Sequence, residues 1–303
     1  MNTDYAVKKT REYLDSILAE ERLIDSVVPT QDFELYGKWF STPIMTPAFS
    51  HLKTFVKERG ENGMYEYSRA AQQVNAVNWV GMCKNDEFAE IMRSEAQTVR
   101  IIKPYADREK IFSRIACAEE LGALAVGIDI DHIFGGNGKC DCVTGEKMAC
   151  LTADDIREFV ECTILPFVIK GVLSASDAVK CGEAGVKGIV VSHHHGRLPF
   201  AAPPLMLLPD IARAARKYEG MKIFVDCGID TGYDAFKALA LGADAVSAGR
   251  ILMPELAKGG MEGVRNYLCR MTEQLAFSMA FCGFSSLDKI NSSVLYRSDG
   301  SRF

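Results

Sequence analysis

One complete β-α-β unit is predicted by residues 166–197, PFVIKGVLSASDAVKCGEAGVKGIVVSHHHGR. The apolar runs at residues 167–170 and 188–191 are typical of strands that are buried on both faces. Residues 175–184, which lie between the two runs, show the periodicity of a helix. Because a helical crossover returns the chain to the same end of the sheet, the two strands are predicted to be parallel.

The same alternation of apolar runs and helical segments continues along the whole chain. Eight such units in one domain favour a TIM barrel, an α/β fold, over an open doubly wound sheet, which is the alternative. No Gly-x-Gly-x-x-Gly motif follows an early run, and this argues against a Rossmann dinucleotide domain. We predict a single domain over residues 1–303, with an N-terminal helical extension over about residues 1–30. The apolar runs lie at residues 43–46, 76–80, 99–102, 124–129, 167–170, 188–191, 222–226 and 245–248.

The composition restricts the possible functions. Of the 303 residues, 48% are hydrophobic, which is enough for a sizeable core, and the formal net charge is −5. This charge argues against nucleic acid and anionic membranes as partners. No apolar stretch reaches the roughly 20 residues of a membrane span, and the charged, amphipathic N-terminus does not resemble a signal peptide. Because the chain has 10 cysteines, we expect reduced thiols and a cytoplasmic location.

Polar and special residues follow the apolar runs, and a barrel would gather them at one end. The longest irregular stretch, residues 131–150, follows the fourth run, and its glycines and polar residues suggest a mobile lid. It contains Cys140, Cys142 and Cys150, whose spacing differs from that of structural zinc sites. We expect free thiols in this loop rather than a metal or cluster site, which is the alternative.

Three consecutive histidines, His193, His194 and His195, follow the sixth run, although the whole chain has only 5 histidines. Side chains alternate in direction along an extended chain, so His194 is expected to face away from its two neighbours. Three interpretations are open. One histidine transfers a proton, or two of them bind a metal with Asp129 or Asp131, or all three are polar residues that fill a strand end.

Two further features suggest an anionic ligand. Gly228 follows the seventh run, and Gly249 and Arg250 follow the eighth. In TIM barrels these two loops commonly bind phosphate through backbone N–H groups, and an arginine can add a charge-assisted contact. Lys170 ends the fifth run in apolar surroundings. There it would pair with an anionic cofactor, form a Schiff base, or make an ordinary salt bridge.

Several longer motifs occur in a fixed order between residues 166 and 290. They are PFVIKGVLSASDA, AGVKGIVVSHHHGR, DCGIDTGYDAFKALALGA, SAGR and MTEQLAFSMAFCGFSSLDKI. In this order they resemble the C-terminal half of the FMN-dependent 2-hydroxy-acid dehydrogenases and oxidases, such as glycolate oxidase, lactate oxidase and flavocytochrome b2. In the N-terminal half, which is shorter than in the family, PIMTPA and ALAVGIDID resemble the first and fourth strands.

The resemblance implies roles for individual residues. His194 would take the proton of the substrate hydroxyl while hydride passes to flavin N5, and Arg197 would hold a substrate carboxylate. Lys170 would stabilise negative charge on the reduced flavin, which makes it the third expected catalytic residue. The residues expected to bind FMN are Pro47, Ala48, Lys170, Ser192, Asp226, Gly228, Gly249 and Arg250.

The chain differs from the family at several positions. The family's substrate tyrosine near the N-terminus has no counterpart, and its Gln-x-Tyr of the third strand corresponds to residues 101–103. Residues 134–137 lack the second substrate arginine, and Asp230 stands where the phosphate motif of the family has arginine. His193 and His195 replace Asn and Gly. We therefore expect a changed substrate site that contains Lys103, His193, His195 and Arg197.

The main prediction is a cytoplasmic FMN-dependent oxidoreductase without a metal. It would transfer hydride between flavin N5 and a small polar or carboxylate substrate, and its electron acceptor is unknown. One alternative is an FMN-dependent isomerase similar to type 2 isopentenyl diphosphate isomerase, or an ene-reductase. Others are a metal-dependent lyase or hydrolase that uses His193, His195 and an aspartate of the fourth strand, and a non-catalytic FMN-binding protein. The resemblance also implies a homotetramer.

Overall fold

A parallel sheet of eight strands forms the centre of the computed structural model, which describes residues 4–56 and 62–303. The strands are β1 Ile44–Met45, β2 Asn78–Val80, β3 Thr98–Ile102, β4 Ala125–Asp129, β5 Phe167–Val172, β6 Gly188–Val191, β7 Lys222–Val225 and β8 Ala245–Ser247. They pair in the order β1-β8-β7-β6-β5-β4-β3-β2. Phe49 and Val80 form a parallel bridge that joins the two ends of this order. The predicted TIM barrel is therefore confirmed.

Helices connect the strands and cover the outside of the barrel. Thr152 and Thr231 form capping boxes with Asp155 and Asp234, which fix where the fifth and eighth helices begin. The helix predicted over residues 175–184 is present with almost the same bounds. The helices are α1 Asp4–Asp15, α2 Gly63–Gln73, α3 Asn85–Met92, α4 Arg108–Glu120, α5 Ala153–Glu161, α6 Ala175–Glu183, α7 Pro204–Ala215, α8 Gly232–Ala240 and α9 Leu252–Phe281.

Side chains fill the interior of the barrel. Trp79 and Phe224 meet there edge to face, with ring centroids 5.3 Å apart. A hairpin of Phe33–Leu35 and Lys38–Phe40 packs its apolar side chains against this interior cluster. The Tyr36 hydroxyl donates to the carbonyl just before β6 over 3.0 Å, which shows that the hairpin lies at the amino end of the strands. The carboxyl end of the strands is left for chemistry, as in other TIM barrels.

The N-terminal helix is shorter than predicted. α1 ends at Asp15, and Ile17–Ala19 forms a strand that pairs antiparallel with Leu295–Arg297. The predicted helical extension to about residue 30 is wrong. Ile17–Ala19 forms its hydrogen bonds with Leu295–Arg297 instead of continuing the helix. α1 itself is fixed to the barrel, where the Arg11 guanidinium lies 2.7 Å from the carboxylate of Asp234.

Residues 131–150 contain more regular structure than expected. Cys142–Val143 and Glu146–Lys147 pair as a short antiparallel ribbon. Lys110 of α4 holds this ribbon through an ion pair of 2.6 Å with Glu146. The expected movement of the loop as a lid stays a prediction.

All 10 cysteines are free, and five of them are exposed: Cys140, Cys142, Cys150, Cys162 and Cys269. Free thiols were expected from the sequence, including in the loop of residues 131–150. Across residues 4–56 and 62–303, none of the helices combines the length and the apolar character that a membrane crossing requires.

Candidate active site

A network of buried charges lies at the carboxyl end of the barrel strands. Lys170 of β5 is 6% exposed, and its ammonium lies 3.0 Å from Asp131 and 3.5 Å from Asp226. Lys103, which follows β3, binds Asp129 at the end of β4 over 2.7 Å. Two ammonium groups thus face three carboxylates. The network carries one excess negative charge, which a further proton would neutralise.

The opposite charges in this network offset the free-energy cost of burying one another. Burial by itself lowers the pKa of Lys170, but Asp131, Asp226 and Asp129 outweigh it and hold that pKa well above its ordinary value. Burial opposes the ionisation of Asp129, yet Lys170 and Lys103 hold its pKa far below the ordinary range. Both Lys170 and Asp129 are therefore ionised at neutral pH. For Lys103 burial prevails, and its pKa is lowered in spite of Asp129.

His194 lies directly on this network. Its φ of 45° is left-handed, and its backbone N–H donates to Ser192 Oγ over 3.1 Å. Nδ1 lies 3.3 Å from both the Asp131 carboxylate and the Lys170 ammonium, while Nε2 lies 3.2 Å from Nε2 of His132. We assign the tautomer in which Nδ1–H donates to Asp131, which leaves Nε2 as an acceptor.

Sequence reasoning missed His132, which belongs to the 3-10 turn Ile130–His132 after β4. Burial and the charge of Lys103 lower the pKa of His132 to about 4, so the ring is neutral near pH 7. It meets the ring of His194 edge to face, with centroids 4.5 Å apart. The available signal was the sequence Asp129-Ile130-Asp131-His132 at a strand end, where a barrel gathers polar side chains.

A pocket of about 280 Å³, the β1–β4 pocket, opens beside the two histidines. Its polar wall is formed by Lys103, Asp129, His132 and His194. Ala48 lines the pocket, as expected for a residue that follows the first strand. Its neighbour Pro47 instead accepts the Tyr67 hydroxyl with its carbonyl, over 2.9 Å. The remaining wall is formed by Phe49, Ser50, His51, Gly81, Met82, Ile101, Val143 and Thr144.

A second pocket of about 280 Å³, the β7–β8 pocket, lies between the loops that follow β7 and β8. Gly228, Gly249 and Arg250 line it, which is the arrangement predicted for an anion. Val7 and Thr10 of α1 add to its wall, a contribution from the N-terminus that the sequence did not reveal. Glycines let an anion approach the backbone closely, and the arginine supplies charge.

The three consecutive histidines divide between the two pockets. His194 lines the β1–β4 pocket, whereas His193 and His195 line the β7–β8 pocket. His194 thus differs in direction from its neighbours as predicted, although the cause is not the alternation of an extended chain. Left-handed φ angles of 45° at His194 and 58° at His195 turn the chain at this point. The structure thus places His193 and His195 outside the pocket of His194, although we expected them in the substrate site with Lys103.

His193 has a structural environment. Its Nε2 lies 2.7 Å from Thr10 Oγ1, and its Nδ1 accepts the Gly196 N–H over 3.2 Å. The Thr10 hydroxyl donates to the carbonyl of Ala6 over 2.9 Å, so it accepts from Nε2–H of the neutral ring. Both ring nitrogens are occupied, and His193 joins α1 to the barrel.

Arg197 is held by the loop of residues 131–150. Its Nη2 lies 2.5 Å from both the carbonyl oxygen of Phe134 and the carboxylate of Asp141. In the part of the chain that the structure describes, neither of the two pockets has Arg197 in its wall. The predicted contact of this guanidinium with a substrate carboxylate would require it to leave Asp141.

Asp129, His132 and His194 have the spacing of a metal site, since one ligand atom from each lies within 4.8 Å of the others. The nearby ammonium groups argue against a cation, because Lys103 lies 2.7 Å from Asp129 and Lys170 lies 3.3 Å from His194. The other metal hypothesis, in which His193 and His195 act with an aspartate of β4, is not supported, because these histidines line the other pocket.

A TIM barrel with an anion pocket after β7 and β8 and a buried lysine on β5 belongs to the class of barrels that bind a phosphorylated cofactor at the mouth. Ser192 and Asp226 lie in the same network, since Lys170 Nζ is 3.4 Å from Ser192 Oγ and 3.5 Å from Asp226. The predicted cofactor residues other than Pro47 therefore lie in the network or in the walls of the two pockets.

Comparison with known proteins narrows this class. The family model described as FMN-dependent dehydrogenase matches residues 1–150 and 141–297. L-lactate oxidase from Nostoc sp. is 37% identical over 171 residues, which are 56% of this chain and 46% of that protein. Glycolate oxidase 1 from Oryza sativa subsp. indica is 28% identical over 97% of this chain and 88% of its own length. A solved mandelate oxidase variant with a monooxide FMN adduct superposes with a TM-score of 0.85 at 28% identity, over 97% of this chain and 92% of its own.

The chain belongs to the FMN-dependent dehydrogenase family. It is an oxidoreductase, and its cofactor is FMN. The residues present fit this group, because two glycines and Arg250 line a pocket that could take a phosphate and Lys170 is a buried cation. The comparisons do not favour the alternative of an FMN-dependent isomerase or ene-reductase.

Proposed function

We propose that the chain oxidises a small 2-hydroxy acid in the β1–β4 pocket, with His194 as the general base. The observation that carries this proposal is the position of His194, whose Nδ1 contacts Asp131 at 3.3 Å while the side chain lines the pocket. The similarity to a lactate oxidase and a glycolate oxidase supports the substrate class, because lactate and glycolate are both 2-hydroxy acids.

The charge network would hold the proton that His194 takes from the substrate hydroxyl. The proton would place an imidazolium 3.3 Å from the Asp131 carboxylate, which is a gain in Coulomb energy. Lys170 lies equally close to Nδ1 and opposes this gain. Because carboxylates outnumber ammonium groups by one in the network, the proton on His194 makes the whole group neutral.

When bound, FMN supplies the two-electron acceptor for the hydride that leaves the substrate carbon. Gly228, Gly249 and Arg250 would hold its phosphate in the β7–β8 pocket. Lys170 would provide positive charge close to the ring system, where the reduced cofactor carries negative charge. The three carboxylates around Lys170 keep its ammonium charged and in place.

Lys103 is the proposed anchor for the substrate carboxylate. It is the lysine in the wall of the β1–β4 pocket, and it lies 2.7 Å from Asp129. A substrate carboxylate would share this ammonium with Asp129 through a charge-assisted hydrogen bond. Arg197 is a second proposed anchor, which becomes available when its ion pair with Asp141 opens.

Anaerobic mixing of the FMN-loaded protein with lactate, glycolate or mandelate tests the proposal. We expect at least one of these acids to bleach the flavin absorbance. The variant His194→Gln should bleach about 10²–10⁴ times more slowly, since it loses the general base, whereas the exposed control Lys180→Gln should react normally. Normal bleaching in His194→Gln, or the absence of bleaching with all 2-hydroxy acids of a broad panel, would contradict the proposal.

We also infer a homo-oligomer, expected to be a tetramer from the resemblance, and a reducing, cytoplasmic compartment. The large apolar side chains of Phe200 and Met206, which are 65% and 48% exposed, support an interface between copies. The ten free thiols support the compartment. Light scattering of the purified holoenzyme measures the oligomeric state, and fractionation of the native cell identifies the compartment. Comparing how fast oxygen and quinones reoxidise the bleached flavin identifies the class of electron acceptor.

A further inference from the structure

We propose that His195 becomes a ligand of the FMN phosphate by binding a proton, so that cofactor binding is coupled to proton uptake. This inference rests on the proposed function, since it takes FMN as the bound cofactor. It concerns the β7–β8 pocket, whereas the chemistry proposed above takes place in the β1–β4 pocket. The two ideas are therefore separable by experiment.

The β7–β8 pocket is short of positive charge for a phosphate dianion. Arg250 contributes one cation to its wall, but Asp230 contributes a carboxylate to the same wall. Burial and the neighbouring Asp234 raise the pKa of Asp230. A phosphate monoester carries about 1.5 to 2 negative charges at neutral pH. One further positive charge is needed to balance it.

His195 is the remaining group in the pocket wall that can supply this charge. Arg11 of α1 reaches the carbonyl of Gly228 but is already paired with Asp15 and Asp234. Of the described residues that line the pocket, Arg250, His193 and His195 are the three that can be cationic. His193 is committed to other partners, because Thr10 and the Gly196 N–H occupy its two nitrogens. His195 turns its ring into the pocket, next to Gly228 and Gly249, through its left-handed φ of 58°.

The surroundings of His195 keep the ring neutral until an anion arrives. Burial and the charge of Arg250 lower the pKa of His195 to about 4, and His194 and Lys170 act in the same direction. Asp226 opposes them. α1 contributes to the pocket wall only Val7 and Thr10, which do not titrate near neutral pH. The other titratable groups in this wall, besides Arg250, are Asp230, Cys227 and His193.

A phosphate dianion in the pocket reverses this balance. An opposite charge beside an imidazole favours its protonated form, so the pKa of His195 is higher in the complex than in the free protein. Between these two pKa values the complex holds a proton that the free protein lacks. The affinity for FMN therefore falls as the pH rises through this window.

The test measures the dissociation constant of FMN, from the quenching of its fluorescence, for the full chain between about pH 6.5 and about pH 8. The native protein should bind FMN about tenfold more weakly at the upper end. His195→Gln should bind about tenfold more weakly than the native protein at the lower end and show no such pH dependence. His195→Arg should bind tightly at both ends, because its charge is permanent.

Calorimetry in two buffers of different ionisation enthalpy counts the protons directly. We expect an uptake of about one proton per FMN near neutral pH in the native protein and none in either His195 variant. Lys180→Gln, which changes an exposed lysine of α6 that lines neither pocket, serves as the control and should keep the uptake. If His195 had only a structural role, its variants would change the affinity for FMN but not the number of protons taken up.

The outcomes separate the two ideas. If the native protein fails to bind FMN at every pH, the proposed function fails. If it binds FMN with an affinity that is independent of pH, or if His195→Gln keeps the proton uptake, only the role of His195 is overturned.

Discussion

The β7–β8 pocket and the β1–β4 pocket divide the three consecutive histidines between them and differ in how they relate to the family. Apart from Val7 and Thr10, the first is built from the C-terminal half, where long motifs match, and it keeps the two glycines and the arginine expected for a phosphate. The second is built largely from the N-terminal half, where residues 101–103 replace the Gln-x-Tyr motif and His132 enters the wall. The proposed cofactor side is retained and the proposed substrate side differs, so we expect the same flavin chemistry on a different 2-hydroxy acid.

The largest expected effect comes from Lys170, which lies between the two pockets. Lys170→Met would leave three carboxylates without their central cation, so we expect a loss of about 3–5 kcal/mol in the free energy of unfolding. Urea denaturation of the protein without cofactor measures this loss. Lys180→Met, an exposed lysine that pairs with Asp177 at 3.1 Å, is the control and should stay within about 0.5 kcal/mol of the native value. Equal stability of the two variants would show that the buried network is not held by Lys170.

A smaller effect, restricted to the β1–β4 pocket, is expected for Lys103. Lys103→Met removes the proposed substrate anchor, so the concentration of 2-hydroxy acid needed for half-maximal flavin bleaching should rise about 10–100-fold. The dissociation constant of FMN should stay unchanged, because this lysine does not line the β7–β8 pocket. Lys103→Arg should recover part of the affinity for the acid. Weaker binding of FMN by Lys103→Met would contradict the assignment of substrate and cofactor to separate pockets.

The smallest effect is expected for Asp230, on the cofactor side. Asp230→Asn removes a carboxylate from the wall of the β7–β8 pocket, so FMN should bind on the order of fivefold more tightly. Fluorescence quenching of FMN measures this change, and the bleaching rate at saturating substrate should not move. The exposed control Asp210→Asn should leave the affinity as it is. Weaker binding in Asp230→Asn would mean that this carboxylate accepts a hydrogen bond from the cofactor.

Much of the fold follows from local patterns in the sequence. The eight apolar runs correspond to β1–β8 because strands buried on both faces are apolar over their whole length. The N-terminal segment was predicted less well. Ile17–Ala19 is a strand because it pairs with Leu295–Arg297, and a pairing between the two ends of a chain leaves no periodic pattern in either segment.

The candidate site was predicted in part. The sequence predicted that His194 faces away from its neighbours, and the resemblance selected Lys170, whose ammonium lies 3.3 Å from Nδ1 of His194. The pocket of His193 and His195 could not be derived, since it depends on left-handed φ angles at two non-glycine residues. Arg197 was expected on a substrate, but its nearest carboxylate is Asp141, in a loop whose path the sequence does not specify.

The position of α1 has a consequence for how this protein is made. Val7 and Thr10 line the β7–β8 pocket, and Arg11 donates to the carbonyl of Gly228 over 3.3 Å. During synthesis this helix leaves the ribosome more than two hundred residues before the loops it contacts, as its ion pair with Asp234 spans 223 positions. A nascent chain therefore cannot assemble the phosphate site until nearly all of the barrel has emerged. A ligand of this pocket can therefore be captured only after Pro254, which also lines it, has been made.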